Sequence, residues 1–151
     1  MKRPWSNDFG KKQEGVLFLE MAPPIGNNVY DWEDGKVILA LGMSDVPKLL
    51  HFFKSPNQYC EKDGSFKITI YHDKNAGTKD KGKHTKQLTI SKPQDRTNFF
   101  FSIMEKNNGH EKKANVPVAP DEATAFMTLL EFSIPMLLSW TAIGYDIPED
   151  N

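Results

Sequence analysis

Between Phe126 and Ile143 apolar side chains occupy nearly every direction around a helix: Phe126, Met127, Leu129, Leu130, Phe132, Ile134, Met136, Leu137, Leu138 and Trp140. A helix that is apolar all round has to be covered on several sides. In a chain of 151 residues one layer of sheet covers only one of those sides. The segment therefore predicts a helix that packs on its own sheet and also lines an interface between subunits. Its expected contact residues are Phe126, Leu130, Phe132, Met136, Leu137 and Trp140. Pro120-Asp121-Glu122 opens the helix with acids in the first turn, where the helix dipole favours them. Pro135 removes one backbone hydrogen bond and predicts a kink or a split.

Upstream, the apolar period is mostly two. Val16, Phe18 and Glu20 alternate with Leu17, Leu19 and Met21, and Phe66, Ile68 and Ile70 alternate with Lys67, Thr69 and Tyr71, so both segments read as strands. Further strands are expected at 37–41, 86–92, 99–105 and 114–118. Val37–Leu41, apolar on both faces, predicts a central strand. Asn107-Asn108-Gly109 predicts a hairpin turn. One short helix interrupts this series. Ser44 is its expected N-cap, Pro47 lies in its first turn, and Val46, Leu49, Leu50 and Phe53 form one face. The lysine-rich segment 73–83 reads as a mobile loop, suited to clamping a strand. The order is strands, helix, strands, helix: an α+β chain of two weakly similar halves.

Residues 21–41 carry the most local information. An apolar strand stops at Pro23-Pro24, turns through Gly26-Asn27-Asn28, and restarts with Tyr30-Asp31-Trp32 ahead of the next apolar strand. This predicts a hairpin whose outgoing strand begins with two amphipathic aromatics around a carboxylate. Hydrophobic content of 38% and charged content of 26% describe one ordinary folded domain, expected at 1–144, with an acidic tail at 145–151. No apolar run is long enough to span a bilayer, no secretory leader is evident, and the single Cys60 fits a reducing compartment, so a cytoplasmic setting is expected. Net charge is −1, but all 19 Lys and Arg lie in residues 1–120, with 14 of the 20 acids. That stretch carries +5, and phosphate binding depends on local surfaces rather than on the total.

The stretch at 21–41 resembles the Ala-Pro…Gly…Tyr-Asp-Trp pattern of the Whirly family of single-stranded-DNA-binding proteins. The resemblance extends over roughly residues 9–142. It takes in Gly15-Val16-Leu17-Phe18-Leu19, Leu39-Ala40-Leu41, Phe52-Phe53-Lys54-Ser55-Pro56, Leu88-Thr89-Ile90, Phe100-Phe101-Ser102-Ile103, Val116-Pro117-Val118 and Phe132-Ser133-Ile134-Pro135-Met136 with Trp140. It implies two antiparallel sheets packed roughly perpendicular in a ββββα-ββββα order, the first strand short or missing. It also implies tetramers built through the helices and binding of single-stranded DNA with little sequence preference, in replication, recombination or repair. A guide-RNA-binding relative makes RNA the alternative ligand, and an oligomeric scaffold without nucleic acid is the contrasting role. The family's Lys-Gly-Lys-Ala-Ala-Leu motif has no counterpart before Phe9, and no organellar leader is evident, so a bacterial or phage setting is expected.

Binding single strands without sequence preference needs aromatic faces for bases, worth roughly 1–3 kcal/mol each, and cations for phosphates. The aromatic candidates are Phe18, Tyr30, Trp32, Tyr71 and Phe100, with Trp5 as a further stacking arm. The basic candidates are Lys11, Lys12, Lys36, Lys67, Lys86, Lys92 and Lys106. The competing reading makes the phenylalanines core and Tyr30 and Trp32 packing anchors, with Asp31 bonded to a nearby backbone amide. An enzyme is not expected. His51, His72, His84 and His110 show no ligand spacing, and phosphate-loop, nucleophile-elbow and dinucleotide motifs are missing. No cofactor or metal is therefore expected.

Overall fold

The computed structural model describes residues 15–142, with side chains through Leu137. Its first half holds β1 (Leu17–Met21), β2 (Pro24–Gly26), β3 (Val29–Tyr30), β4 (Val37–Leu41) and α1 (Val46–Lys54). Its second holds β5 (Phe66–Asp73), β6 (His84–Lys92), β7 (Phe99–Asn107), β8 (His110–Val118) and α2 (Pro120–Ala142). The α+β order expected from the sequence is present, with four strands before each helix.

The four later strands form one antiparallel sheet in the order β5-β6-β7-β8. Alternation decides its faces. Ile68, Ile70, Leu88, Ile90, Phe101, Ile103 and Ala114 are buried on one side, while Lys67, Thr69 and Tyr71 stand on the other. Asn108 and Gly109 adopt φ of 48° and 89°, the left-handed pair that a two-residue hairpin loop requires, and they join β7 to β8. Three strands run further than expected: β6 begins at His84, β7 continues to Asn107 and β8 starts at His110. Their charged ends lie in register with one another, so pairing continues where apolar alternation has stopped. Pro117 is accommodated because β8 is an edge strand.

The first half departs further from expectation. β1 pairs antiparallel with β4, but β2 and β3 form a separate two-stranded arm between them, every residue of which is exposed. Tyr30 and Trp32 therefore precede β4 rather than begin it. Among the described residues β4 pairs only with β1, so it is not the central strand that its two apolar faces predict. Its burial comes from the opposite sheet. Val37, Leu39 and Leu41 are fully buried, and β4 meets β6, β7 and β8, as a strand lying across that sheet must.

α1 closes the first half. Its N-cap is Asp45, not Ser44, because the hydrogen-bonded helix runs from Val46. The Asp45 carboxylate accepts the Gly42 N–H at 3.2 Å and lies 3.0 Å from His72 Nε2, tying the helix start to β5. Val46, Leu49 and Phe52 are fully buried. Around Phe52 the rings of Phe53, Tyr59, Phe99, Phe101 and Phe126 meet edge-on or tilted, joining both helices to the sheet.

α2 passes through Pro135 as one helix, so the expected split does not occur. Three of the side chains expected at a subunit interface lie in this chain's own core. Leu130 is fully buried, Leu137 nearly so, and Phe126 packs on Phe53 and Phe101. Phe132 is the outward one, 69% exposed beside Leu129 at 61%, and Met136 is half-buried. The all-round apolar pattern divides into a core face and an outer face. The side chain of Trp140 lies outside the described residues.

Candidate nucleic-acid interface

Register places the outward side chains of the large sheet in rows. Lys67, Ser91, Phe100 and Pro117 form the first row, Thr69, Thr89, Ser102 and Asn115 the second, and Tyr71, Gln87, Met104 and Lys113 the third. None of these twelve positions holds a carboxylate. Tyr71 is 56% exposed. Phe100 is half-buried, with the Arg96 guanidinium 5.8 Å from its ring centre. The face offers two π surfaces, two lysines and a central row of hydroxyl and amide groups.

This face runs into a strongly basic end. The β5–β6 and β7–β8 connections and the strand ends beside them, residues 72–86 and 104–113, hold eight lysines against four carboxylates. At the other end, residues 60–66, 92–98 and 117–123 hold three basic and five acidic groups. Lys74, Lys79, Lys81 and Lys113 make no ion pair among the described residues. Lys83 is paired to Asp80 at 2.7 Å and Lys106 to Glu111 at 3.5 Å. The segment 73–83 is not the loose loop its composition predicts, for it folds into consecutive hydrogen-bonded turns.

The aromatic arm is pinned at its base. The Asp31 N–H donates to Pro23 O at 3.0 Å, and the Asp31 carboxylate accepts the Asp34 N–H at 2.9 Å. The backbone N–H of Gly35, then that of Asp34, holds the Asp31 carboxyl below its ordinary value, with a smaller contribution from the nearby Lys112. Gly35 has to be glycine, because a Cβ there would lie 2.7 Å from both Asp31 Oδ2 and Pro23. Asp31 is thus a turn-forming residue bonded to a nearby backbone amide, as the competing reading of the sequence has it. Tyr30 and Trp32 on either side are 47% and 53% exposed, with Ile25 and Val29 exposed beside them.

The candidates therefore do not form one site. Lys67, Tyr71 and Phe100 share the outward face, and Lys106 continues it into the basic end. Phe18 is 64% exposed on the small β1–β4 sheet, where Lys36 is paired to Glu20 at 3.2 Å. Lys86 and Lys92 belong to the opposite, core-side face. Lys86 donates to Ile38 O at 2.7 Å and lies 3.5 Å from Glu105, bracing β6 against β4. Lys92 lies 5.5 Å from the Phe99 ring centre. Lys11, Lys12, Trp5 and the acidic tail fall outside the described residues. Sequence reasoning missed Lys113 and Arg96, and it marked 73–83 as a lysine-rich clamp without naming Lys74, Lys79 and Lys81 as contacts. Counting charge hairpin by hairpin, rather than over residues 1–120, would have exposed that lysine cluster.

A two-stranded sheet and its exposed arm ahead of one helix, and a four-stranded sheet ahead of the other with three acid-free rows on its open face, define an α+β sheet-platform module. A family model described as Whirly transcription factor matches residues 2–129, and the chain belongs to the Whirly family. It is 27% identical over 148 residues to the chloroplastic single-stranded DNA-binding protein WHY1 of Solanum tuberosum, covering 96% of this chain and 50% of that one. It is 27% identical over 135 residues to the mitochondrial single-stranded DNA-binding protein WHY2 of Arabidopsis thaliana, covering 87% and 51%. The chain thus spans about half the length of these curated relatives. Its fold is similar to crystal structures of WHY1 and WHY3 from Arabidopsis thaliana, each at 24% identity, with TM-scores of 0.70 and 0.69. These alignments cover 89% and 91% of this chain and 73% and 78% of theirs. The structure of the plant transcriptional regulator PBF-2 matches at 25% identity and a TM-score of 0.69, over 97% of this chain and 78% of that one.

Proposed function

We propose that this protein binds single-stranded DNA with little sequence preference, coating and protecting it during replication, recombination or repair. The observation that carries the reading is the three acid-free rows of the outward face with Tyr71, Phe100 and Lys67, continuous with an end that holds twice as many lysines as carboxylates. Bases stack on the rings and phosphates follow the lysines. The names of the plant relatives support the same ligand. The protein works as a homo-oligomer, a tetramer on the family resemblance, with Leu129 and Phe132 of α2 covered between copies. Its role is binding rather than catalysis, in the cytoplasm of a bacterial or phage-infected cell. RNA is the second reading, favoured by the row Thr69, Thr89, Ser102 and Asn115, whose hydroxyl and amide groups suit 2′-hydroxyls. Fluorescence anisotropy with labelled 30-nucleotide DNA, matching RNA and duplex DNA tests both. Preference for single-stranded DNA supports the first reading, and preference for RNA supports the second. No binding at low salt by an intact oligomer leaves a scaffold.

A further inference from the structure

Ten residues connect β5 to β6, four of them lysines, and like charges at that density favour a splayed loop. Asp73 prevents it. One carboxylate oxygen accepts the Asn75 N–H at 2.9 Å and the other accepts the Gly82 N–H at 2.8 Å, so a single side chain grips both ends of the loop. The Asn108 N–H donates to Lys83 O at 2.9 Å, joining the loop to the β7–β8 turn. Between loop and turn lies a cleft of about 570 Å³ lined by Gly82, Lys83, Lys106, Asn108, Gly109 and Glu111. Among the described residues its two lysines are held by exposed carboxylates, Asp80 and Glu111, and such water-screened pairs yield readily to a phosphate.

We propose that this cleft is a phosphate-binding seat on the single-strand track, with Lys83 and Lys106 as its cations and Asp73 as its positioning residue. The inference rests on the single-strand reading for its ligand, a backbone phosphate, although the seat takes any phosphate group of that size. Asp73 has the wrong charge to touch a phosphate. By holding Gly82 it keeps the next residue, Lys83, in the cleft with Lys106. Coulomb attraction alone predicts that neutralising Asp73 tightens anion binding, whereas the positioning role predicts that it weakens it.

Asp73→Asn and Asp80→Asn in the full chain separate these outcomes, because each removes one negative charge, the first at the start of the loop and the second within it. Asp73→Asn keeps an acceptor for Asn75 and loses the one for Gly82. The expected result is that Asp80→Asn binds labelled single-stranded DNA as tightly as wild type or more tightly. Asp73→Asn should bind roughly fivefold more weakly at about 0.1 M salt, with the log–log salt slope shallower by about 0.7, the loss of one phosphate contact. Lys83→Gln and Lys106→Gln should each show the same loss, which keeps the proposal testable if Asp73→Asn folds poorly. Inorganic phosphate reads the seat without nucleic acid: it should shift the Gly82 and Gly109 amide resonances of wild type and not those of Asp73→Asn. Asp73→Asn binding DNA as tightly as Asp80→Asn, or no localised phosphate shifts in wild type, overturns the proposal. Phosphate shifts without DNA binding would uphold the seat and sink the single-strand reading.

Discussion

Tyr71 and Asp31 show how differently two polar-looking positions earn their place. Tyr71 is more than half exposed at a row end of the open face, so its ring has little to do for the fold. Tyr71→Ala should weaken single-strand binding by about 1–3 kcal/mol, one stacked base, with the melting temperature unchanged. Titration alongside thermal unfolding checks both parts. Asp31 works in the turn. Its carboxyl is held below the ordinary 3.8, so its ionised form contributes stability above that value and loses it as pH falls through the lower folded value. Asp31→Asn should therefore unfold at a lower temperature than wild type at neutral pH, with the gap closing in acid. A gap independent of pH would contradict the charge-based role.

Among the elements, α2 makes the clearest division of labour. Its inner residue Leu130 is fully buried, and Leu130→Ala should cost about 2–5 kcal/mol of folding stability, measurable by denaturant unfolding. Its outer residue Phe132 touches solvent, so Phe132→Arg should leave the fold intact and reduce the species seen by light scattering. The sequence showed that this helix is apolar all round, but not which side faces the chain's own sheet. That depends on where α1 and Phe101 place their rings, a tertiary fact with no local signal. The sheet was more legible. Leu88 and Ile90 are core residues, and a period of two already puts Lys86 and Lys92 on their face, so treating those lysines as phosphate contacts overlooked a readable pattern. The β2–β3 arm was legible only as its turn through Gly26-Asn27-Asn28. Its strands have three and two residues, too short for any alternation to register.

At the scale of the molecule, the total charge of −1 is misleading because one end of the large sheet carries eight lysines against four carboxylates while the other carries three basic groups against five acids. A strand of nine residues is about 30 Å long, roughly three Debye lengths at 0.1 M salt, so a strand arriving at the lysine end hardly senses the acids at the other. The family and strand–helix order were legible from spaced motifs. The charge separation was only half legible: each lysine-rich hairpin can be counted in the sequence, but only the antiparallel register brings the two together. The most direct measurement is the affinity of the wild-type chain for a 30-nucleotide single strand as a function of salt. The predicted result is tight binding at low salt and a log–log slope of about −2 to −4, the release of counterions from roughly three to six phosphates at about 0.7 each. Binding that is absent at low salt, or that does not change with salt, would contradict a phosphate-tracking surface on this sheet.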